Sequence, residues 1–410
     1  MPRNKLILIV IAAVISVSCI IIAGHFLFWD NRDGVQDPEE TNPESTAAGI
    51  SNETGSTAGT DANSNGDIIQ DQFYPSNDNI GYVTYKQIET QINGNKQVIN
   101  IIEAKLGSGA IIIKPALSFG LIYGFEELSK MAESAGAYAG VNGGFFSIYG
   151  EPSGMVMIDG ELCAKPTGTY PVFITDGKTA SFEKTEIEMT VRTQTAIQTV
   201  DKINTAGDTG ELVLYTPVYG TGNRSKTGNI TYVIENKRVV DIKMTSASTA
   251  IPGDGMLLTY YTPNPEEADV QLKIGDIVSF EYAPDLGDDT QAYECGCMIV
   301  EDGRNVAPVS DPWIGVLTNR DPRTVIGIKD ESTVVLMTVD GRQPGYSIGM
   351  TANELAGYLI GIGVKDAAML DGGASTEMIV EGKVVNRPSH GAEERKIAGA
   401  LLVFTAEGIH

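Results

Sequence analysis

One four-part unit occurs twice in this chain, far apart in sequence. The first copy is "FEELSKMAESAGAYAGVNGGFF", where Leu128, Met131 and Ala135 recur at helical spacing and Gly136 stops the helix. A short apolar strand, Tyr138 to Val141, then runs into Asn142-Gly143-Gly144. The second copy is "TANELAGYLIGIGVKDAAMLDGGAST", with Leu355, Leu359 and Ile362 as the helical stripe, Gly363 as the stop and Ala367 to Leu370 as the strand. It ends in Asp371-Gly372-Gly373. Asp and Gly together would explain a turn, since both tolerate left-handed backbone angles. Two copies of helix, stop, buried strand and polar double glycine ask for more. Each brings a polar side chain to the carboxyl end of a strand, and if the strands are neighbours in one sheet, Asn142 and Asp371 face one crevice.

Around these units the chain alternates β-rich runs with turn signals, as in "QVINIIEAKL", "GAIIIKP", "YPVFITDGKTASF" and "TVVLMTVDGR". The expected class is α+β, mostly sheet with few helices, the two units building one pocket. At 410 residues and 42% hydrophobic composition the chain supports a large core. Its net charge of -24 argues against nucleic acid or an anionic surface as a partner through any broad basic face.

The stretch Leu6 to Trp29 is almost wholly apolar and follows Arg3 and Lys5. Roughly 20 apolar residues cross a bilayer as a helix, so residues 1–29 read as a cytoplasmic stub and an uncleaved transmembrane anchor, N-terminus inside. Residues 30–79 are rich in Asn, Ser, Thr and Gly and hold eleven acids against one arginine. They read as a disordered acidic stalk. Residues 80–410 are then the folded, extracytoplasmic domain of a single-pass cell-membrane protein. Outside the anchor, Cys163 can pair with one of Cys295 and Cys297. A cysteine metal site is disfavoured, because His390 and His410 are the only histidines beyond the anchor.

The polar signals concentrate in the C-terminal third. Arg320 and Arg323 open one β-run, a turn follows at Asp330 to Ser332, and the next run ends in Asp340-Gly341-Arg342. Antiparallel pairing across that turn brings Arg323 to the end of the strand that carries Asp340 and Arg342. Arg387 and Arg395 precede the last apolar strand. Converging guanidines suit an anionic phosphate or carboxylate, whereas an ion-pair network among Arg320, Asp321, Arg323 and Asp340 would only pin loops. Glu354 lies three residues after Thr351, the capping-box spacing. Phe145 and Phe146 suit core or pocket wall. Ser375 and Thr376 have no histidine partner for a serine-hydrolase triad.

Six segments in order, "AGVNGGFF", "SGMVMIDGEL", "RDPRTVIGI", "VDGRQPGYSIGMTANELA", "MLDGGASTEMIVEGKVVNRP" and "EERKIAGALLVF", give the chain from about Gln97 to Phe404 its resemblance to the phosphodiester glycosidase family. That family includes the enzyme that uncovers mannose 6-phosphate by removing N-acetylglucosamine. The resemblance implies hydrolysis of a sugar-1-phosphate diester at the sugar side. It implies Asp371 as the central carboxylate, with Asp340 and Glu354 as candidates for a second acid or base. Substrate contacts would fall to Asn142, Gly143, Gly144, Phe145, Gly372, Gly373, Ser375 and Thr376, and phosphate contacts to Arg323, Arg342 and Arg395. No motif specifies a cofactor; a divalent cation such as Ca2+ would find hard oxygen ligands in Asp371 and Asp340. An anchored bacterial form would meet a phosphorylated glycan of the cell envelope or exopolysaccharide. The competing readings are a non-catalytic surface domain that binds anionic wall polymer, and a phosphodiesterase that cuts the P–O bond.

Overall fold

The computed structural model describes residues 80–405, apart from residue 195, residues 266–271 and residue 392. Strands β1 (Val83–Ile92) and β2 (Asn95–Lys105) form a hairpin whose Asn93-Gly94 turn has positive φ at both residues, the geometry that matches strand twist. Next come β3 (Ile111–Leu117), α1 (Leu128–Ala135) and β4 (Ala139–Asn142). An insertion of short strands separates these from β5 (Met298–Glu301), β6 (Arg323–Asp330) and β7 (Thr333–Val339). The chain continues through α2 (Ala352–Gly361), β8 (Asp366–Met369), β9 (Met378–Val380) and β10 (Gly399–Thr405).

Two antiparallel sheets organise these elements. Seven strands run β1-β2-β7-β6-β8-β5 and then Arg304–Asn305; five run from Lys383–Val384 through β9-β4-β10-β3. Period-two hydrophobicity sends the two faces of each sheet into different cores. In β7, Val334 and Leu336 point into a core shared by both sheets, whereas Val335, Met337 and Val339 pack with Leu355 and Leu359 of α2. In β10, Leu401 and Val403 enter the shared core, and Ala400 and Leu402 pack with Leu128 and Met131 of α1. The result is four layers: α2, seven strands, five strands, α1. The insertion, residues 156–294, builds further sheets around its own core of Met157, Leu214, Tyr232 and Leu258. It also contributes Val156, Phe173 and Tyr293 to the shared core.

Both repeated units fold as the sequence reads. The α1 helix ends on left-handed Gly136, and α2 carries a full capping box at Thr351 and Glu354. The Arg323 and Asp340 segments pair antiparallel, Arg323 opposite Val339. One expectation is corrected: β4 and β8 are not neighbours in a sheet but belong to different ones. A second is the disulfide, since Cys163, Cys295 and Cys297 are all free thiols. Among the described residues no helix is long and apolar enough to cross a membrane. The expected anchor at 6–29 and the stalk at 30–79 lie outside the described residues.

Candidate active site

The strand ends of the two sheets meet because one side chain joins them. Asn142, 1% exposed, lies at the end of β4. Its Nδ2 donates to the Asp371 carbonyl at 2.7 Å and to the Gly143 carbonyl at 3.1 Å. Its Oδ1 accepts from Thr324 Oγ1 on β6 at 2.7 Å and from the Glu377 N–H at 3.2 Å. The Asp371 N–H completes the join on the Gly143 carbonyl at 3.2 Å. All four hydrogen-bonding positions of the amide are used, so Asn142 ties the two double-glycine turns together and offers nothing to a ligand.

The turn after β8 holds the Asp371 carboxylate by its own backbone. Oδ1 accepts the Gly372 N–H at 3.0 Å and Oδ2 accepts Ser375 Oγ at 2.6 Å. Ser375 is buried and accepts in turn from Arg395 Nη1 at 3.0 Å. On the other side, Gly373 has φ +60 and abuts the Arg342 guanidinium, to which a Cβ there would approach within 3.3 Å. Arg342 itself has φ 58, its side chain is 54% exposed, and its Nε donates to Asp321 at 2.9 Å. Left-handed backbone at a non-glycine residue is held only where its surroundings demand it, often at a functional site. The carboxylate of the partly exposed Asp371 is thus linked through Ser375 to the Arg395 guanidinium, while the Arg342 guanidinium lies against Gly373, two residues further on.

Several expected ligands do other work. Arg323 is 3% exposed and its guanidinium donates to the Met350 and Asn319 carbonyls at 3.0 and 2.9 Å, which removes it from phosphate binding. Asp340 is fully buried and accepts from Tyr346 Oη, Asn386 Nδ2 and the Arg387 N–H, each at 3.0 Å. Burial pushes its pKa up while these donors pull it back. It clasps the loop at 386–388 with three of its four acceptor positions, buried away from solvent. Glu354 caps α2 and pairs with Arg320 and Asn93, so its carboxylate is fully committed. Gly143 and Gly144 are glycine for packing: a Cβ on the first would lie 2.5 Å from Tyr293 Oη, and on the second 2.8 Å from that ring. Thr376 is buried with an unpartnered Oγ1. Among the described residues no cluster of three or more His, Cys, Asp or Glu side chains could hold a metal.

Two neighbours escape sequence reading. Glu377 is 0% exposed, takes the Arg395 N–H on Oε1 and has no hydrogen-bond partner on Oε2. Burial, with help from Glu394 and Glu127 and against Arg395, raises its pKa to about 8. The available signal was an acid directly ahead of the buried strand Met378–Val380. The other is Tyr293, buried beneath the double glycine, which no local pattern links to it. On the Arg395 side a cleft of about 500 Å3 opens between the start of α1 and the 384–394 loop, lined by Glu127, Arg387, Pro388 and Glu394 among others.

Comparisons with known proteins bear on this arrangement. A curated relative, the SPbeta prophage-derived uncharacterized protein YomE of Bacillus subtilis strain 168, is 30% identical over 159 residues, 39% of this chain and 22% of that protein. A hypothetical protein from Synechocystis superposes with a TM-score of 0.64 at 20% identity, over 79% of this chain and 62% of that one. A putative exported protein from Burkholderia pseudomallei K96243 gives 0.62 at 21%, over 77% and 75%. The chain therefore spans less than two thirds of the first two, and at such identity the structural likeness speaks for fold alone. Residues 228–404, which include Arg342, Asp371, Ser375, Glu377 and Arg395, match the family model described as Phosphodiester glycosidase, and over that stretch the chain is similar to that family.

Proposed function

We propose that this chain is a hydrolase that cleaves a sugar-1-phosphate diester at its glycosidic side. The observation that carries the reading is the Asp371 carboxylate held by Ser375 Oγ at 2.6 Å, the same hydroxyl that Arg395 Nη1 meets at 3.0 Å, with the Arg342 guanidinium against Gly373 two residues on. In the proposed step the guanidines take the phosphodiester and Asp371 stabilises positive charge growing at the sugar carbon. Water adds to that carbon and loses its proton to Asp371. The carbon–oxygen bond to phosphorus breaks with its electron pair on the phosphate, releasing a phosphomonoester and a free sugar. A second carboxylic acid is unnecessary, because a phosphate whose last pKa lies near about 6 leaves without being protonated. This accounts for a site whose other acids, Asp340 and Glu354, are engaged in structure.

We take the domain to act outside the membrane on envelope or exopolysaccharide phosphodiesters, on the strength of the apolar 6–29 segment preceded by Arg3 and Lys5. A mature protein that begins beyond residue 25 would refute the anchor. Hydrolysis of a synthetic sugar-phosphate diester in isotopically labelled water tests the reaction. Label in the sugar, abolished by Asp371→Asn, is the expected result, and label in the phosphate makes the protein a P–O phosphodiesterase instead. Absence of turnover across several sugars, with wall-polymer binding retained, makes it a binding domain.

A further inference from the structure

Three aromatic rings stand near the candidate site, of which only Phe145 is among the expected substrate contacts. Tyr170 and Trp313 are stacked, centroids 3.9 Å apart at 20°, and Phe145 lies 5.4 Å from Trp313 at 48°. All three remain partly exposed, although this fold buries Tyr215, Tyr219 and Phe173 completely. Trp313 sits at the tip of a short hairpin, Ser310–Asp311 with Gly315–Val316. The buried Asp311 fixes that tip, its Oδ1 accepting the N–H groups of Trp313 at 2.8 Å and Ile314 at 3.1 Å.

The trio is attached to the same backbone as the carboxylate. A Cβ on Gly296 would lie 3.0 Å from Phe145 Cε2 and 3.3 Å from the Met369 carbonyl. Gly296 also donates its N–H to that carbonyl at 2.7 Å, two residues before Asp371. Phe145 itself follows Gly143-Gly144, whose first carbonyl receives the Asp371 N–H. Phe145 and the Asp371 carboxylate are therefore built on adjoining loops after β4 and β8, and Trp313 and Tyr170 extend the aromatic surface from Phe145. An aromatic surface near a carboxylate suits the sugar half of a sugar phosphate. The C–H face of a pyranose is weakly positive and packs against the negative face of an aromatic ring, which offers nothing to a phosphate anion.

We propose that Phe145, Tyr170 and Trp313 form the subsite that takes the sugar ring, with Asp371 at its anomeric carbon. The assignment rests on the glycosidase reading above and specifies which face of the site binds which half of the substrate. Trp29 is the only other tryptophan in the chain, so in a full-length Trp29→Phe protein the fluorescence of Trp313 reports its surroundings alone. Methyl glycosides, which are neutral and cannot be hydrolysed at phosphorus, should change that fluorescence saturably, and inorganic phosphate should not. Trp313→Ala should raise KM for sugar-phosphate diesters by about threefold to tenfold while leaving inhibition by inorganic phosphate unchanged. Tyr170→Ala should act in the same direction, and Trp313→Phe should recover most of the loss. Turnover with no fluorescence response to any glycoside and an unaltered KM in Trp313→Ala would overturn the subsite and leave the reaction standing. A saturable response to glycosides without turnover of any diester would keep the sugar subsite and overturn the reaction. A response to phosphate that matches the response to glycosides would overturn the division of the site.

Discussion

At the scale of single residues, Asn142 and Asp371 show how like patterns part company. Both stand between a buried strand and a double glycine, but Asn142 is closed in by four hydrogen bonds while Asp371 keeps partial exposure. Asp371→Asn should lower kcat by about 10²–10⁴-fold and shift stability by less than about 1 kcal/mol, read by kinetics and by chemical denaturation. Asn142→Ala should do the reverse in emphasis. It leaves the buried Thr324 hydroxyl, the Glu377 N–H and the Asp371 carbonyl unpaired, at about 1–3 kcal/mol for each group not rescued by relaxation. Its signature is a lowered denaturation midpoint with a fall in kcat at near-constant KM; a rise in KM at unchanged stability would restore Asn142 as a substrate ligand. The importance of both residues was legible in the repeat. Which of them keeps a partly exposed side chain was not, because that depends on how strand ends of two face-packed sheets adjoin, a long-range fact that no local pattern encodes.

At the scale of elements, α2 was the easiest part to read. Its stripe and its cap are written within one turn of each other, and Thr351 and Glu354 make the reciprocal bonds that their spacing suggests, at 3.1 Å each way. Thr351→Ala should cost about 1 kcal/mol. Glu354→Gln should keep turnover within about twofold, because a cap and an ion pair touch no substrate; a loss approaching the 10²–10⁴ expected of an acid–base catalyst would show that Glu354 acts in the reaction. The Arg323 hairpin was equally legible in register, yet the direction of its first side chain was not. Arg323 turns inward onto two carbonyls of neighbouring loops, and those partners come from Asn319 and from Met350, past the next strand. The insertion at 156–294 was the least legible element, since its short strands carry the same alternation as those of the main sheets.

For the molecule as a whole, the buried carboxyl of Glu377 has a charge state that is coupled to folding. Glu377 precedes β9, close to where the five-stranded sheet meets α1, with Glu127 and Glu394 disfavouring its ionised form and Arg395 favouring it. Its pKa rises from 4.5 to about 8 in the folded protein. Below about 4.5 both folded and unfolded chains hold this proton and it contributes nothing to the balance. Between there and about 8 the unfolded chain releases the proton and the folded chain keeps it, so stability falls as pH rises, with a limiting slope of about 1.4 kcal/mol per pH unit. Above about 8 both forms are ionised and the slope from this group ends. Glu377→Gln keeps the side chain's size and removes the titration. The variant should therefore gain stability over the parent as pH rises, with little difference at about pH 5 and a clear advantage at about pH 8, measured as denaturation midpoints at matched ionic strength. A constant offset between the two proteins across that range would mean that Glu377 ionises in the folded state much as it does in the unfolded one, with water reaching Oε2 through the neighbouring cleft.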